Sequence, residues 1–215
     1  IQLTIVCNGD AQVSKLEKKE YNSVIYYIIP DKYNCEMYWE QIIDEVSPDV
    51  IHIYGTERNH NLSLIDKYNE KIPIIISLQG ILSEYHRHYY GCIPMKDIIR
   101  NYTLYDVLSR NGIISKKNAF RKQAEREKEM FSKVYFVEGR SDWDKAVSLN
   151  INSNLKYYYC PRMIRKPFFD YQWNESKVEK HSLFVHQGNY PIKGLHFMLD
   201  ALDIISKKSA AITGG

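Results

Sequence analysis

Short, uninterrupted apolar runs recur along this chain and alternate with stretches in which apolar residues follow a helical period. The runs predict buried strands at Leu3 to Cys7, Val24 to Ile29, Val50 to Tyr54, Ile74 to Leu78, Val134 to Val137 and Lys156 to Tyr159. Strands without polar alternation are typical of parallel sheets that helices cover on both faces. The pattern therefore predicts an α/β fold, a Rossmann-like parallel sheet covered by helices.

Apolar periodicity and capping residues predict helices between these strands. The helical stretches are Cys35 to Val46, Leu62 to Asn69, Met95 to Arg110 and Ser115 to Lys133. Asn34 is predicted to cap the first of them, and Ser141 with Asp144 forms a capping-box pattern for a further helix. The segments Ile81 to Pro94 and Arg162 to Trp173 are predicted to be irregular, the second partly helical.

The sequence HSLFVHQGNYPIKG, from His181 to Gly194, predicts a strand at Ser182 to His186, a loop with two glycines, and a helix from Gly194 to Lys207. Such a helix start can hold phosphate because its backbone N–H groups and dipole attract an anion, and Lys193 adds a positive charge. A structural turn without a ligand is the plainer interpretation of the same pattern. Since 21 residues follow Gly194, we expect this unit to open a domain that the chain does not complete.

Composition and charge narrow the classes of function. The chain has 215 residues with 29 basic and 26 acidic ones, and its net charge of +3 lacks the concentrated basic excess of nucleic-acid binders. No apolar window of about twenty residues predicts a membrane span, and no signal-peptide pattern is present. Cys7, Cys35, Cys92 and Cys160 are widely spaced, which indicates reduced thiols in a cytoplasmic protein and no metal site. The mixed charges of the helix at 115–133 indicate a solvated face, with attachment to a membrane surface as the alternative.

Polar and small residues follow the predicted strands, where the ligands of open parallel sheets gather. They suggest a crevice for a hydroxyl-rich, phosphorylated ligand, and they are His52, Gly55, Thr56, Glu57, Gln79, Gly80, Arg140, Trp143, Asp144, Arg162 and Arg165. Several of them have a structural interpretation as well. His52 fits a hydrogen-bonded interior histidine, Glu57 and Asp144 fit helix N-terminal charges, Trp143 fits a core residue, and the arginines at 162 and 165 fit partners of carboxylates.

The strand ends and the loop before Gly194 occur in the order seen in a known enzyme family. Pro48 to Gly55 reads PDVIHIYG, Ser77 to Gly80 reads SLQG, and Gln187 to Gly194 reads QGNYPIKG. With these motifs the chain resembles the bacterial family 4 glycosyltransferases, which are retaining enzymes with the two-domain GT-B fold. The GRSDWD sequence at Gly139 to Asp144, with CPRMIRKPFFDYQW downstream, is similar to members that assemble capsules and other surface polysaccharides.

The resemblance implies a reaction and a set of roles. A sugar would move from a nucleotide-diphosphate donor to a saccharide or polyprenyl-linked acceptor with retention, without a cofactor or metal, in the cytoplasm at the inner face of the membrane. Lys193 and the backbone N–H groups around Gly188 and Gly194 would contact the donor diphosphate. The strand-end residues would face the acceptor, with His52 and Gln79 as candidates for a catalytic role. Cationic and backbone groups would stabilise the leaving-group charge.

Two departures from the family pattern bear on activity. Gly188 stands where the family has a loop arginine, and Gln79 stands where it commonly has a histidine, so Gln79 cannot transfer a proton as a base. We expect an acceptor-binding domain over residues 1–173 that is incomplete at its N-terminus, a linker over 174–180, and one βαβ unit of a donor-binding domain within 181–215. We therefore expect no transferase activity from this chain alone. The alternatives are a non-catalytic saccharide- or phosphate-binding module and a GT-B sugar-nucleotide epimerase.

Overall fold

The computed structural model describes residues 2–9, 12–30, 35–58, 60–179 and 182–213. Predictions that involve Asn34, Lys180 or His181 lie outside these described residues. The chain divides into two compact units: the first comprises Ile1–Ser83 and Lys122–Pro161, and the second comprises Glu84–Arg121 and Arg162–Gly215. The predicted linker at 174–180 falls within the second unit.

The first unit begins with a three-stranded sheet of strands β1 (Thr4–Asn8), β2 (Glu17–Tyr21) and β3 (Val24–Ile29), in the order β1-β3-β2. Strand β1 runs parallel to β3, and β2 pairs with β3 as an antiparallel hairpin. Asn22 and Ser23 join the hairpin with φ angles of 50° and 61°, the left-handed pair that suits a tight hairpin turn. The sequence analysis missed β2 because EKKEY is a charged edge strand without an apolar run.

A four-stranded parallel sheet forms the centre of the first unit. Its strands are β4 (Ile51–Tyr54), β5 (Ile74–Ser77), β6 (Phe136–Gly139) and β7 (Lys156–Tyr159), paired in that order. The structure therefore confirms the prediction of an α/β fold with a parallel sheet flanked by helices. The predicted strand at Val134 begins two residues later, because the Val134 N–H still donates to Met130 O at 3.1 Å and prolongs the preceding helix.

Helices connect the strands and continue through the second unit. In chain order they are α1 (Glu36–Val46), α2 (His60–Tyr68), α3 (Leu82–Tyr85), α4 (Met95–Arg100), α5 (Leu104–Ser109), α6 (Ile113–Lys133), α7 (Asp142–Ile151), α8 (Pro167–Asp170) and α9 (Leu195–Thr213). The single helix predicted over Met95 to Arg110 is two helices. The chain breaks between them because the Thr103 side chain starts a new helix by accepting from the Asp106 N–H.

The core of the first unit lies on one face of the four-stranded sheet. Ile53, Ile74, Ile76 and Val137 point into it and pack against side chains of α1, α2 and α6. Strands in sequential order with right-handed crossovers carry their connecting helices to the same face, which explains this arrangement. Tyr54 and Tyr158 occupy alternate positions of the strands, on the face opposite the core, and both are exposed. The sequence analysis expected helices on both faces, but helices do not cover this second face at those two positions.

The second unit is helical in its described part. It contains α4, α5, the first turns of α6, α8 and α9, with 3₁₀ turns at Glu175–Lys177 and Pro191–Lys193. The predicted strand at Ser182 to His186, and with it the strand of the predicted βαβ unit, does not form. A strand needs hydrogen bonds from a neighbouring strand, and none of the described residues supplies them. The predicted helix is present and runs from Leu195 to Thr213, six residues further than the periodicity indicated.

Candidate functional site

The carboxyl ends of β4 and β5 bring three of the predicted residues together at Gly55. The Gly55 N–H donates to Ser77 O at 2.9 Å, and its φ of 80° lies in the left-handed region that favours glycine. A Cβ at this position would lie 2.1 Å from Glu57 Oε2 and 3.2 Å from Gln79 Cγ. The turn therefore needs glycine, and it places the Glu57 carboxylate and the Gln79 side chain next to each other at the sheet edge.

The carboxyl end of β6 adds Arg140 to this group. Arg140 Nη2 donates to the Gln79 carbonyl at 3.2 Å, so a guanidinium reaches the loop after β5. The Arg140 backbone N–H donates to Asp144 Oδ2 at 2.9 Å, and Ser141 Oγ accepts from the Asp144 N–H at 3.1 Å. Ser141 therefore caps α7, as predicted. The Asp144 carboxylate is buried in the turn, whereas Arg140 and Trp143 are exposed.

A buried carboxylate that the sequence analysis overlooked joins the loops after β4 and β5. Glu127, on α6, is fully buried and accepts hydrogen bonds from Thr56 Oγ1 at 2.5 Å, the Ser83 N–H at 2.9 Å and the Leu82 N–H at 3.1 Å. Burial raises the pKa of Glu127 above its ordinary value, and the three donors lower the pKa in part. The Thr56 hydroxyl is engaged here and Thr56 is buried, so this residue supports the loop from inside rather than facing a ligand.

His52 belongs to a second polar group, on the exposed face of the four-stranded sheet. Its Nε2 lies 3.2 Å from Glu138 Oε1, across the intervening strand β5, and its ring stacks on Tyr54 with centroids 4.3 Å apart. The Glu138 carboxylate also raises the pKa of the neighbouring Cys160 thiol through its negative charge. His52 therefore lies against a carboxylate on the sheet face, and that carboxylate was not among the predicted residues.

The second unit contains a cavity of about 330 Å³ beside the predicted phosphate loop. Residues 188–199 form one wall, through Gly188, Asn189, Pro191 and the first turns of α9. Residues 89–116 form the other, with Tyr89, Ile93, Ile113 and Lys116. Its size lies at the lower end of the range for small-molecule sites, which is about 300–1,000 Å³. Apolar side chains dominate the lining, and Lys116 supplies a positive charge.

Close backbone packing holds the two walls of this cavity together. The Gly91 backbone has a φ of 56°, and a Cβ there would lie 2.4 Å from the Pro191 carbonyl oxygen. His196 Nε2 lies 2.7 Å from Gly91 O, and since a carbonyl only accepts, Nε2 carries the hydrogen. Position 91 therefore tolerates only glycine without a shift of the loop at 187–194.

Tyr89 is the most distinctive polar group of the lining. It is 1% exposed, and its ring packs against Phe120 and Tyr190 with centroids 4.9 Å and 6.4 Å away. Its buried hydroxyl has no hydrogen-bond partner among the described residues. Burial raises the pKa of Tyr89, so the hydroxyl stays protonated and can donate. A buried polar group without a partner costs about 1–3 kcal/mol, so this hydroxyl is an unsatisfied donor beside the cavity.

The residues that were predicted to contact the diphosphate of the sugar donor occupy different places around the cavity. Gly188 lines it, whereas Lys193 is exposed and does not line the cavity in the described part of the chain. Gly194 has a φ of 78° and ends the 3₁₀ turn, with its N–H donating to Pro191 O at 2.9 Å. Arg162 and Arg165 are exposed residues of the second unit.

Sequence reasoning could have found some of the cavity residues but not their grouping. Lys116 was interpreted as part of a solvated helix face, and Tyr89 stands in an aromatic cluster that the sequence displays. No local pattern connects these residues with His196, about a hundred positions later in the chain. Only the packing of Gly91 against the loop at 187–194 brings them to one cavity.

Comparison of the chain with protein-family models, with curated proteins and with solved structures finds no match. In the described part of the chain, no helix combines the length and hydropathy needed to cross a membrane. Over the same residues, no group of three or more His, Cys, Asp or Glu side chains is arranged to hold a metal ion.

Proposed function

We propose that this chain contributes the acceptor side and the start of the donor side of a retaining GT-B glycosyltransferase, which transfers a sugar from a nucleotide-diphosphate donor to a saccharide or polyprenyl-linked acceptor in surface-polysaccharide synthesis. One observation carries the proposal. The glycine loop at 187–194 and the first turn of the 19-residue helix α9 form a wall of a 330 Å³ cavity that Lys116 and Tyr89 line from the other side.

The chemistry of this wall suits an anionic donor. The first N–H groups of α9 and the positive end of its dipole favour negative charge near Gly194. Lys193, exposed in the turn before the helix, is free to approach a diphosphate from the solvent side. Lys116 would add a charge from the opposite wall, and the apolar lining would exclude water from the leaving group.

The group at Gly55 has the composition expected of an acceptor site. Glu57, Gln79 and Arg140 together offer acceptors and donors for sugar hydroxyls at the carboxyl ends of parallel strands. Gln79 cannot act as a base, and His52 is held by Glu138 on the sheet face. These two observations favour a second candidate function, a non-catalytic module that binds saccharide or phosphate with the same residues.

Titration of the chain with nucleoside diphosphates tests the donor role. Isothermal calorimetry with UDP, GDP and ADP, and with the matching monophosphates, should show preference for a diphosphate. Lys193→Ala should weaken that binding about tenfold, or about 1.4 kcal/mol. Lys208→Ala, on the exposed far end of α9, is the matched control and should leave binding unchanged. Absence of diphosphate binding, or equal losses for both variants, would remove the donor role.

Transfer itself is tested on the polypeptide that the encoding reading frame produces. Incubation with sugar nucleotides and isolated lipid-linked acceptors, followed by NMR of the new anomeric centre, should show retention. In that protein Lys193→Ala should weaken donor binding much more than acceptor binding. Diphosphate binding without turnover would select the binding module instead.

A further inference from the structure

The loop at 187–194, which leads into helix α9, has little regular structure of its own. Residues 187–190 lie in neither a helix nor a strand, and a single 3₁₀ turn follows at Pro191–Lys193. The Lys193 and Gly194 N–H groups close this turn, each with a 2.9 Å hydrogen bond to the carbonyl three positions earlier. One turn does not fix the whole loop, because ordering each further residue costs backbone entropy. The position of the loop therefore depends on contacts with another part of the chain.

Residues 89–91 supply contacts of this kind through backbone and aromatic packing. A Cβ at Gly91 would lie 2.4 Å from the Pro191 carbonyl oxygen, so the two backbones touch at this point. The ring of Tyr190 packs edge-on against Tyr89, with the two centroids 6.4 Å apart. Apolar packing is not directional, so it brings the two segments together without fixing the orientation of the loop.

His196 makes a directional contact between the same two segments. Its Nε2 donates to the Gly91 carbonyl, with the two atoms 2.7 Å apart, although the residues are separated by 105 positions in the chain. His196 is half-buried and is the second residue of α9, so this hydrogen bond ties the start of the helix to residue 91. The neighbouring Leu195 contacts the beginning of the loop, since a Cβ at Gly188 would lie 2.6 Å from Leu195 Cδ2. The loop and the first turn of α9 are thus held together against residues 89–91.

We propose that His196 is a positioning residue for the loop at 187–194. Through its hydrogen bond to the Gly91 carbonyl, it holds Lys193 and the first N–H groups of α9 in one fixed arrangement. The identity of the ligand, a donor diphosphate, rests on the proposed function, whereas the ordering of the loop is independent of it. A loop that is ordered before the ligand arrives spares the entropy that a mobile loop would lose on binding.

The size of the expected effect follows from the loss of one hydrogen bond. A hydrogen bond of this kind shifts an equilibrium by about threefold to tenfold. Without it, the population of molecules in which the loop has left residues 89–91 should rise by that factor. The apparent dissociation constant of a ligand that binds the ordered loop rises by at most the same factor, because affinity falls only as the ordered fraction falls.

Three substitutions separate positioning from other roles of this side chain. His196→Leu retains an apolar side chain of similar size but cannot donate to the Gly91 carbonyl. His196→Gln has a side-chain amide that can donate to the same carbonyl, and it carries no charge at any pH. His88→Leu is the matched control, because His88 is an exposed histidine of the same unit.

Amide hydrogen exchange of the intact chain, measured by mass spectrometry on peptides that cover residues 190–198, reports the ordering of the loop without any ligand. These peptides should exchange about threefold to tenfold faster in His196→Leu than in the wild type. They should exchange at the wild-type rate in His196→Gln and in His88→Leu. Peptides from α1, in the first unit, should exchange equally in all of these proteins, which excludes general destabilisation. Unchanged exchange in His196→Leu, or equally fast exchange in His196→Gln, would overturn the proposal.

Titration of the same proteins with UDP, GDP and ADP connects the loop to its ligand. The affinity for the diphosphate that binds should fall in His196→Leu by no more than about tenfold, and it should stay near the wild-type value in His196→Gln. An equal loss of affinity in both variants would show that His196 contacts the diphosphate itself, and it would overturn the positioning role. If the wild type binds none of the three diphosphates while the exchange rates change as expected, the proposed donor role fails and the positioning of the loop by His196 stands.

Discussion

Replacement of Glu127 should reveal how strongly one buried carboxylate holds the two strand-end loops. Glu127→Ala leaves the Thr56 hydroxyl and the N–H groups of Leu82 and Ser83 without their acceptor, and all three residues are buried. A buried donor without a partner costs about 1–3 kcal/mol, so three of them would lower the free energy of unfolding by about 3–9 kcal/mol. Relief of the desolvation of the carboxylate offsets part of this, and we expect the free energy of unfolding to fall by about 3–5 kcal/mol.

Urea unfolding, monitored by tryptophan fluorescence, measures the change in free energy of unfolding of the first unit. Trp39 is buried in the core of this unit, so its emission reports when the core opens. Glu125→Ala is the matched control on the same helix. Its carboxylate is exposed and pairs with Lys128 at 3.3 Å, so the change should stay within about 0.5 kcal/mol. A loss below about 1 kcal/mol for Glu127→Ala would refute the argument that this carboxylate satisfies three buried donors.

The pH dependence provides a second check on the same residue. Burial raises the pKa of folded Glu127 above its ordinary value of 4.5, so the folded state holds the proton more tightly than the unfolded state. The contribution to stability is then greatest below the unfolded pKa, and it falls as the pH rises through the folded pKa. Glu127→Gln cannot titrate at this position. The difference in free energy of unfolding between the wild type and this variant should therefore shrink from about pH 5 to about pH 8, a range that begins just above the ordinary carboxyl pKa. A deficit that is constant or grows with pH would contradict the raised pKa.

Three further substitutions test the fold around the site. Gly55→Ala should lower the free energy of unfolding by about 1–2 kcal/mol, because alanine is strained at a φ of 80° and its Cβ would displace the Glu57 carboxylate; an unchanged urea midpoint would contradict the turn geometry. Ile76→Ala, at a fully buried position of the central strand β5, should cost about 2–5 kcal/mol in the same assay, and a loss under about 1 kcal/mol would place Ile76 outside the core. Ser23→Gly should instead raise the melting temperature, because relief of about 1–2 kcal/mol of strain at a φ of 61° exceeds the about 0.4–1 kcal/mol that glycine costs through the entropy of the unfolded chain; a lower melting temperature would show that the hairpin turn differs.

The parallel sheet and most of its helices could be predicted from the sequence because each depends on local periodicity. The run at Lys156–Tyr159 and the run at Val24–Ile29 form strands with the predicted bounds, and Ser141 caps α7 as its pattern indicates. The edge strand β2 could not be predicted, because its charged residues gain strand structure only by pairing with β3. The opposite error occurred at Ser182 to His186, where an apolar run has no neighbouring strand to pair with in the described residues.

The candidate site, like the fold, depends partly on local sequence and partly on contacts between residues that are distant in the chain. The sequence by itself determined which residues follow the strands, and so it indicated Gly55, Glu57, Gln79 and Arg140, since parallel strands end at a common edge. Only the tertiary structure decided that Thr56 is tied to Glu127, that His52 meets Glu138, and that Lys116 and Tyr89 share a cavity with the loop at 187–194. These partners lie 71 and more positions apart in the chain. Their meeting depends on how helices and loops pack over whole units, because no local periodicity records which distant side chain will satisfy a buried donor or charge.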